Sequence, residues 1–381
     1  MTRKEIIFVV GAIVLWSMVL SIILSLAIRF VAVQEAFLGG KFINYITNPR
    51  LYSWANFDGV YYLIIAQEGY REFTYFFFPL YPILVKIFSS LFGSGLVAFV
   101  KSGIFVSYVS LAVALFGLIK LLKLDFKENL IKNTILLLLI FPTSYYFGSV
   151  YTESLFLALA VWGLYLARTK KWILAGIVIA LATATRIVGV ALVAALAIEV
   201  FLDWKASKKI IPAHLIGLFI SCLGIGFFVL YIWYRTGDPL NFFNNVGIFG
   251  AQRSSNLIAF PQVFYRYIFK ILPNVNYGVL TSFFPADLEF LTGLAFLGLG
   301  IISFWKLRLS YAVYLLLGFI IPTLSGSFSS LPRYVLVLFP GFILAATYLG
   351  KNKYFLFAFC ALSSILLVIS LSLFARGYWI S

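Results

Sequence analysis

The sequence predicts an all-α polytopic membrane protein, and three observations predict it. Of the 381 residues, 63% are hydrophobic and only 11% are charged, whereas a soluble domain carries roughly 25% charged residues. The mean hydropathy is +1.03. Apolar stretches long enough to cross a hydrocarbon core of about 30 Å recur along the chain. This composition excludes a cytosolic enzyme, a disordered tail and a nucleic-acid-binding protein.

About eleven transmembrane helices are expected in a single domain that covers residues 1–381. They are 6–30, 97–119, 133–149, 154–167, 172–188, 189–204, 210–233, 288–305, 309–323, 333–349 and 354–374. Two long external loops, 34–96 and 235–286, are rich in aromatic residues, and loops of this length are usually functional or disordered. Within the first loop, the apolar stretch 78–93 is expected to be a re-entrant or interfacial helix.

The basic residues predict the orientation. They are concentrated in short connections such as 120–132, 168–171 and 205–209. Lys and Arg enrichment in short loops marks the cytoplasmic side, so we expect the N-terminus inside and the C-terminus outside. The net charge of +16 is then a signal of topology rather than of a polyanionic partner.

Scarce residue types limit the chemistry. His214 is the only histidine, and Cys222 and Cys360 lie in separate apolar stretches. Zinc sites and disulfide frameworks need clusters of these residues, so we expect no metal site and no cofactor. A catalytic base is therefore expected to be Asp or Glu, and less readily Tyr or Lys.

Asp58 is the leading candidate for that base. It lies among aromatic residues, between Trp54 and Tyr62, and Gly59 follows it. A partly desolvated carboxylate suits general-base work, and glycine leaves room for a ligand. The alternative is that Asp58 caps the helix that follows it, and one residue can do both.

Three further charges stand out near the outer ends of spans. Glu153 starts a span, where it stabilises the positive end of a helix or forms a polar cavity wall. Arg186 is predicted deep in the membrane, where a charge is by default functional; it binds a phosphate or pairs with Glu153 or Asp58. Arg333 follows a Ser-rich segment and opens a span, so it forms an anion site or snorkels. Gln252 and Arg253 are weaker candidates in the second long loop.

These features converge on the outer leaflet. The sequence has no P-loop and no DxD pair for a metal-bound nucleotide sugar, and nucleotides are confined to the cytosol. An activated donor there must be lipid-linked and enter from the bilayer. One carboxylate on the acceptor hydroxyl and arginines on the leaving phosphate then suffice.

Several blocks in chain order resemble the PIG-V family of mannosyltransferases, also known as GPI mannosyltransferase II-like. They are Trp54, Phe57-Asp58-Gly59, Tyr62, Ala66, Gly69-Tyr70, Phe77-Phe78-Pro79-Leu80-Tyr81-Pro82, Phe141-Pro142, Tyr151-Thr152-Glu153-Ser154-Leu155-Phe156, Thr185-Arg186-Ile187-Val188-Gly189, Thr236-Gly237-Asp238-Pro239-Leu240, Leu331-Pro332-Arg333-Tyr334 and Phe339-Pro340.

The resemblance implies a GT-C membrane glycosyltransferase that inverts the anomeric carbon. Its donor is a polyprenyl- or dolichyl-phosphate sugar, usually mannose, and its acceptor is lipid- or glycan-linked. An aspartate of the first external loop is the presumed base, which corresponds to Asp58. The chain looks like a prokaryotic relative whose active site faces the outside of the cell membrane.

The site expected from these residues has three parts. Asp58 is the base, and Arg186, Arg333 and Arg253 bind the donor phosphate. Substrate contacts are expected from Glu153, Trp54, Tyr62, Tyr151 and Gln252. The competing function is a transporter or flippase of a lipid-linked sugar, which would use the same arginines without a base.

Overall fold

The computed structural model describes residues 2–244, 247, 253–254 and 256–380, and every regular element in this part of the chain is helical. In chain order the α-helices are α1 (Arg3–Phe30), α2 (Lys41–Thr47), α3 (Pro49–Tyr52), α4 (Asp58–Glu68), α5 (Leu80–Ser89), α6 (Gly95–Leu122), α7 (Glu128–Leu139), α8 (Glu153–Arg168), α9 (Trp172–Thr183), α10 (Val190–Ser207), α11 (Pro212–Ser221), α12 (Leu223–Thr236), α13 (Asn241–Asn244), α14 (Phe260–Arg266), α15 (Leu280–Lys306), α16 (Leu309–Thr323), α17 (Leu331–Tyr334), α18 (Phe339–Leu349) and α19 (Lys353–Ala375).

The all-α, polytopic architecture expected from the sequence is confirmed. Six helices in the described part of the chain are long and apolar enough to cross a membrane, and α17 with α18, bent by 87°, would make a seventh. Three further apolar helices in the described part of the chain are shorter: Leu80–Phe92, α9 and α16. The count of eleven spans therefore stays a prediction.

The expected span 133–149 is not one continuous helix. α7 ends at Leu139, and a 3-10 turn follows at Ser144–Gly148. Pro142 lies between them, and proline both lacks an N–H and disfavours helical geometry in the residue before it. This break leaves the backbone irregular where it approaches Glu153.

The first long loop carries four short helices, α2 to α5. The apolar stretch expected to be re-entrant or interfacial forms Leu80–Phe92, which at 1.5 Å per residue is about 20 Å long. That is too short for a hydrocarbon core of about 30 Å. α5 instead packs against α6 and α4 and so fixes the position of Asp58.

Close helix packing holds the centre of the bundle together. α8 lies between α6 and α9, and α9 packs on α11. A Cβ on Gly176 would lie 2.3 Å from the carbonyl oxygen of Gly217, so only glycine permits this approach. Small residues at helix crossings are typical of membrane bundles. The packing brings the start of α8 and the end of α9 to the same end of the molecule.

Candidate active site

Four charged side chains meet at this end of the bundle. Arg333 donates from Nη1 to Asp58 Oδ2 over 2.6 Å, and its Nε lies 3.4 Å from Glu153 Oε1. Arg186 Nη1 is 2.6 Å from the same Glu153 oxygen. The result is an alternating chain of charges, Asp58, Arg333, Glu153 and Arg186, which we call the charge cluster.

Each member of the cluster is placed by a helix end. Asp58 and Glu153 are the first residues of α4 and α8, Arg186 lies just beyond α9, and Arg333 is in α17. The positive end of a helix favours a carboxylate in its first turn. The capping alternative for Asp58 does not describe the structure, because its carboxylate bonds to Arg333 and the residue at the cap is Phe57.

The cluster is buried rather than snorkelling to the surface. Glu153 is 1% exposed, Arg333 4% and Arg186 8%. The guanidinium carbons of Arg186 and Arg333 each lie 5.0 Å from the ring centroid of Tyr334, a cation–π distance. Arg186 therefore does pair with Glu153, and its pairing leaves it on the wall of a cavity.

That cavity has a volume of about 410 Å³. Asp58, Glu153, Arg186 and Arg333 line one part of it, together with Arg253 from the second long loop. Most of the remaining wall is apolar, and its members are Phe76, Phe77, Phe78, Ile187, Val188, Leu240, Phe242, Phe243, Leu257, Ile321, Pro322 and Leu324. The lining thus has one more cation than carboxylate beside a long hydrophobic surface, which suits a ligand with an anionic group and an apolar chain.

Arg253 extends the positive wall. Its Nη2 donates to Ser330 Oγ over 3.0 Å and to the carbonyl oxygen of Ser329 over 3.3 Å. These bonds tie the second long loop to the segment that precedes Arg333. Both long loops and the bundle itself therefore contribute to one cavity.

The other predicted residues divide into two groups. Tyr62 lines the cavity, and burial, followed by the charges of Asp58 and Glu153, raises the pKa of Tyr62, so its hydroxyl stays a donor. Trp54 and Tyr151 do not line it. Both take part in hydrogen bonds that join chain segments. The backbone carbonyl of Trp54 accepts from Val150 N, and the Tyr151 hydroxyl donates to the carbonyl of Asn56, both over 2.8 Å. Gln252 lies outside the described residues.

Among the lining residues that were not predicted, two contact the arginines. Thr152 Oγ1 lies 3.3 Å from Arg186 Nη1, and Tyr334 stacks beneath two arginines. Both directly adjoin a predicted residue in sequence, which is the signal that could have found them. In the described part of the chain, no three His, Cys, Asp or Glu side chains are grouped so that they could hold a metal ion.

Comparison with known proteins identifies the family. The sequence model of the mannosyltransferase (PIG-V) family matches residues 8–236. Among solved structures, the chain is similar to the oligosaccharyltransferase of Archaeoglobus fulgidus, solved with a tethered acceptor peptide, at 15% identity and a TM-score of 0.45. That match covers 98% of this chain and 55% of the other, so the chain spans about half the length of that enzyme. No curated protein sequence matches the chain. The chain belongs to the PIG-V mannosyltransferase family of membrane glycosyltransferases.

Proposed function

We propose that the protein transfers a sugar, mannose by its family, from a polyprenyl- or dolichyl-phosphate donor to a lipid- or glycan-linked acceptor, with inversion at the anomeric carbon. The observation that carries the proposal is the charge cluster on the wall of an apolar cavity. A lipid-linked sugar phosphate has the same two parts, an anionic phosphate and a long apolar chain. The cavity offers three arginines to the first and aromatic and aliphatic walls to the second.

Asp58 is the proposed base. It takes the proton of an acceptor hydroxyl as that oxygen bonds to the anomeric carbon, and the bond from this carbon to the phosphate oxygen breaks. The lipid phosphate leaves with both electrons of that bond. Arg333, already 2.6 Å from the base, holds the Asp58 carboxylate in position before the reaction. Unlike a retaining glycosidase, this displacement needs one catalytic carboxylate and not two.

The arginines stabilise the leaving phosphate. Arg186, Arg333 and Arg253 line one cavity, and charges held in an apolar surrounding interact more strongly than in water. Fixed donors aimed at developing charge often contribute more to catalysis than any other single effect. Glu153 shares its Oε1 with Arg186 and Arg333, so it spaces the two guanidinium groups and can accept from a sugar hydroxyl.

The proposed location is a prokaryotic cell membrane, with the N-terminus in the cytoplasm and the cavity open to the outside. The position of the basic short loops supports this orientation. The basic short loops fall at the ends of helices away from the charge cluster, and basic short loops favour the cytoplasmic side. A donor that partitions into the bilayer can reach such a cavity from the membrane.

The test is transfer of radiolabelled mannose from polyprenyl-phosphate-mannose by purified protein in detergent, with a lipid and glycan extract of the source organism as acceptor. Asp58→Asn should lower transfer about a thousandfold, within the range for loss of a general base. Asp125→Asn is the matched control, because Asp125 is also 2.6 Å from an arginine, Arg168, away from the cavity. Turnover retained by Asp58→Asn would contradict the proposed base. Donor binding without turnover in the wild type would instead support a transporter.

A further inference from the structure

A second cavity, of about 530 Å³, adjoins the segment that holds Asp58, because Phe57 is part of its lining. Its lining is more polar than that of the first. The lining includes Gln34, Phe57, Glu289, Ser327, Ser329 and Trp379. None of these residues lines the first cavity, and the proposed chemistry does not use them.

Two stretches of chain contribute residues to both cavities. Phe57 lines the second cavity and Asp58 lines the first. Phe57 has a φ of +56°, which a non-glycine residue adopts only under strain. In the other stretch, Ser327 and Ser329 line the second cavity and Arg333 the first. The strained turn at Phe57 thus lies where the chain passes from one cavity to the other.

Glu289 is the most unusual residue of the second cavity. It lies in the transmembrane helix α15 and is 7% exposed. Among the described residues no Lys, Arg or His approaches it within 4.0 Å; its oxygens accept only from the Tyr267 hydroxyl, at 2.6 Å, and from Ser330 N, at 3.3 Å. A carboxylate in a membrane helix is expensive and by default functional. Each oxygen can accept more than one hydrogen bond, so Glu289 has capacity for a ligand.

The remaining lining fits a sugar. A hexose presents several hydroxyl donors on its edge and apolar C–H groups on its faces. The carboxylate of Glu289, the amide of Gln34 and the hydroxyls of Ser327 and Ser329 match the edge. Trp379, held edge-on to Phe57 at 4.9 Å between ring centroids, offers an aromatic surface for a face. Pockets that combine aromatic walls with a few placed polar groups are typical of small-molecule sites.

We propose that the second cavity binds the sugar unit of the acceptor, with Glu289 accepting from its hydroxyls. The assignment of this sugar to the acceptor rests on the proposed function. The existence of a sugar site rests only on the lining of the cavity. The acceptor is then a glycan or glycolipid rather than a lipid without a sugar. Phe57 in the lining of this cavity directly precedes Asp58, so the sugar would be bound next to the segment that carries the proposed base.

The experiment measures sugar binding without any donor. The protein is placed in lipid nanodiscs free of sugar-headed detergent, and saturation-transfer NMR is recorded with methyl α-mannoside, methyl α-glucoside and methyl N-acetyl-β-glucosaminide; cyclohexanol is the apolar control. We expect at least one glycoside to bind and cyclohexanol not to bind. Glu289→Leu, which replaces a buried carboxylate by an apolar residue suited to the membrane, should weaken binding at least tenfold.

Two further variants keep the result interpretable. Thr281→Trp fills the cavity from an exposed position and should also weaken binding at least tenfold, without change to the buried core. Glu199→Gln removes another buried carboxylate of a membrane helix, which pairs with Arg308 away from both cavities, and should leave binding unchanged.

Three results would overturn the proposal: no glycoside binds, cyclohexanol binds equally well, or Glu289→Leu and Thr281→Trp both bind like the wild type. Because no donor is present, this outcome is separate from that of the transfer assay. If glycoside binding depends on Glu289 but the protein shows no transfer activity, the proposed function is contradicted and the sugar site is supported. If neither variant changes the rate of transfer, the proposed function is supported and the sugar site is contradicted.

Discussion

The ion pairs at the two ends of the bundle are built differently. At the far end, away from the cavities, Arg168 contacts both carboxylate oxygens of Asp125 at 2.6 and 2.8 Å. Arg308 does the same with Glu199 at 2.6 and 2.7 Å. Asp125 and Glu199 thus each have their own arginine, in the two-pronged geometry that gives the strongest pairs.

At the cavity end the pairing is one-sided. Asp58 and Glu153 each contact their arginines through a single oxygen. Glu153 Oε2 is buried and has no hydrogen-bond partner among the described residues. Buried polar atoms are nearly always satisfied, so an orphan on a cavity wall points to a ligand. We infer that the far-end pairs hold helices together, whereas the charge cluster keeps hydrogen-bonding capacity for the proposed substrate.

The largest difference in activity between the two ends should appear when one arginine is removed at each end. Arg333→Ala removes the partner of Asp58 and one of the residues proposed to bind the phosphate of the sugar donor. The kcat/KM for the lipid-phosphate sugar should therefore fall about a hundredfold to a thousandfold. Arg168→Ala should change it less than about threefold, because Arg168 contacts Asp125 and Tyr311 and lines neither cavity. Steady-state kinetics with varied donor measure both. Equal losses in the two variants would mean that the ends do not differ in function.

Double-mutant cycles should separate the ends by stability. The cycle of Glu153→Gln with Arg186→Gln should give a coupling of about 2–3 kcal/mol, because both charges are buried and Arg186 loses its carboxylate partner when Glu153 is replaced. The cycle of Glu199→Gln with Arg308→Gln should give about 1 kcal/mol or less, since Arg308 is 36% exposed and solvent screens it. Equilibrium unfolding in mixed SDS micelles gives both free energies. A coupling at the far end that matches the cavity end would contradict this assignment.

The sequence was informative wherever a charge interrupts an apolar stretch. Asp58, Glu153, Arg186 and Arg333 stand out because a charge in a membrane is costly and must have a reason, and all four line one cavity. Their partners could not be predicted, since Arg333 and Asp58 are 275 positions apart. Only the packed bundle decides which carboxylate each arginine meets.

Aromatic residues were harder to interpret, because their identity does not tell which way they face. Trp54 and Tyr151 are as aromatic as Tyr62, yet only Tyr62 faces the cavity. Glu289 was overlooked for a related reason. At the outer start of a span it resembles an ordinary solvated acid, and only the fold brings Tyr267 against it and encloses it. Helix ends such as that of α7 depend in the same way on local backbone chemistry near Pro142.

The strained turn at Phe57 should have a moderate effect. Phe57→Gly removes the steric strain of the positive φ but also the ring that contacts Phe374 and Trp379. Asp58 is then less firmly positioned, and transfer should fall about tenfold, since small displacements of a reacting group are costly. Phe73→Gly is the control, because Phe73 also has a positive φ, +67°, but is 49% exposed and lines neither cavity. The same loss in both variants would mean that Phe57 has no positioning role.

The smallest effect should come from the same backbone conformation at the far end. Lys208 follows α10 with a φ of +57°, and its N–H donates to the carbonyl of Trp204 over 2.7 Å, a helix end that favours glycine. Lys208→Gly should therefore raise the free energy of unfolding by about 0.5–1 kcal/mol and leave transfer unchanged.

Ser330 has a φ of +68°, but Ser330→Gly also removes the hydroxyl that binds Arg253. If strain at the cavity end serves the site, Ser330→Gly should lower transfer severalfold while Lys208→Gly does not. Unchanged transfer in both would show that the strain at Ser330, like that at Lys208, is only a feature of the turn.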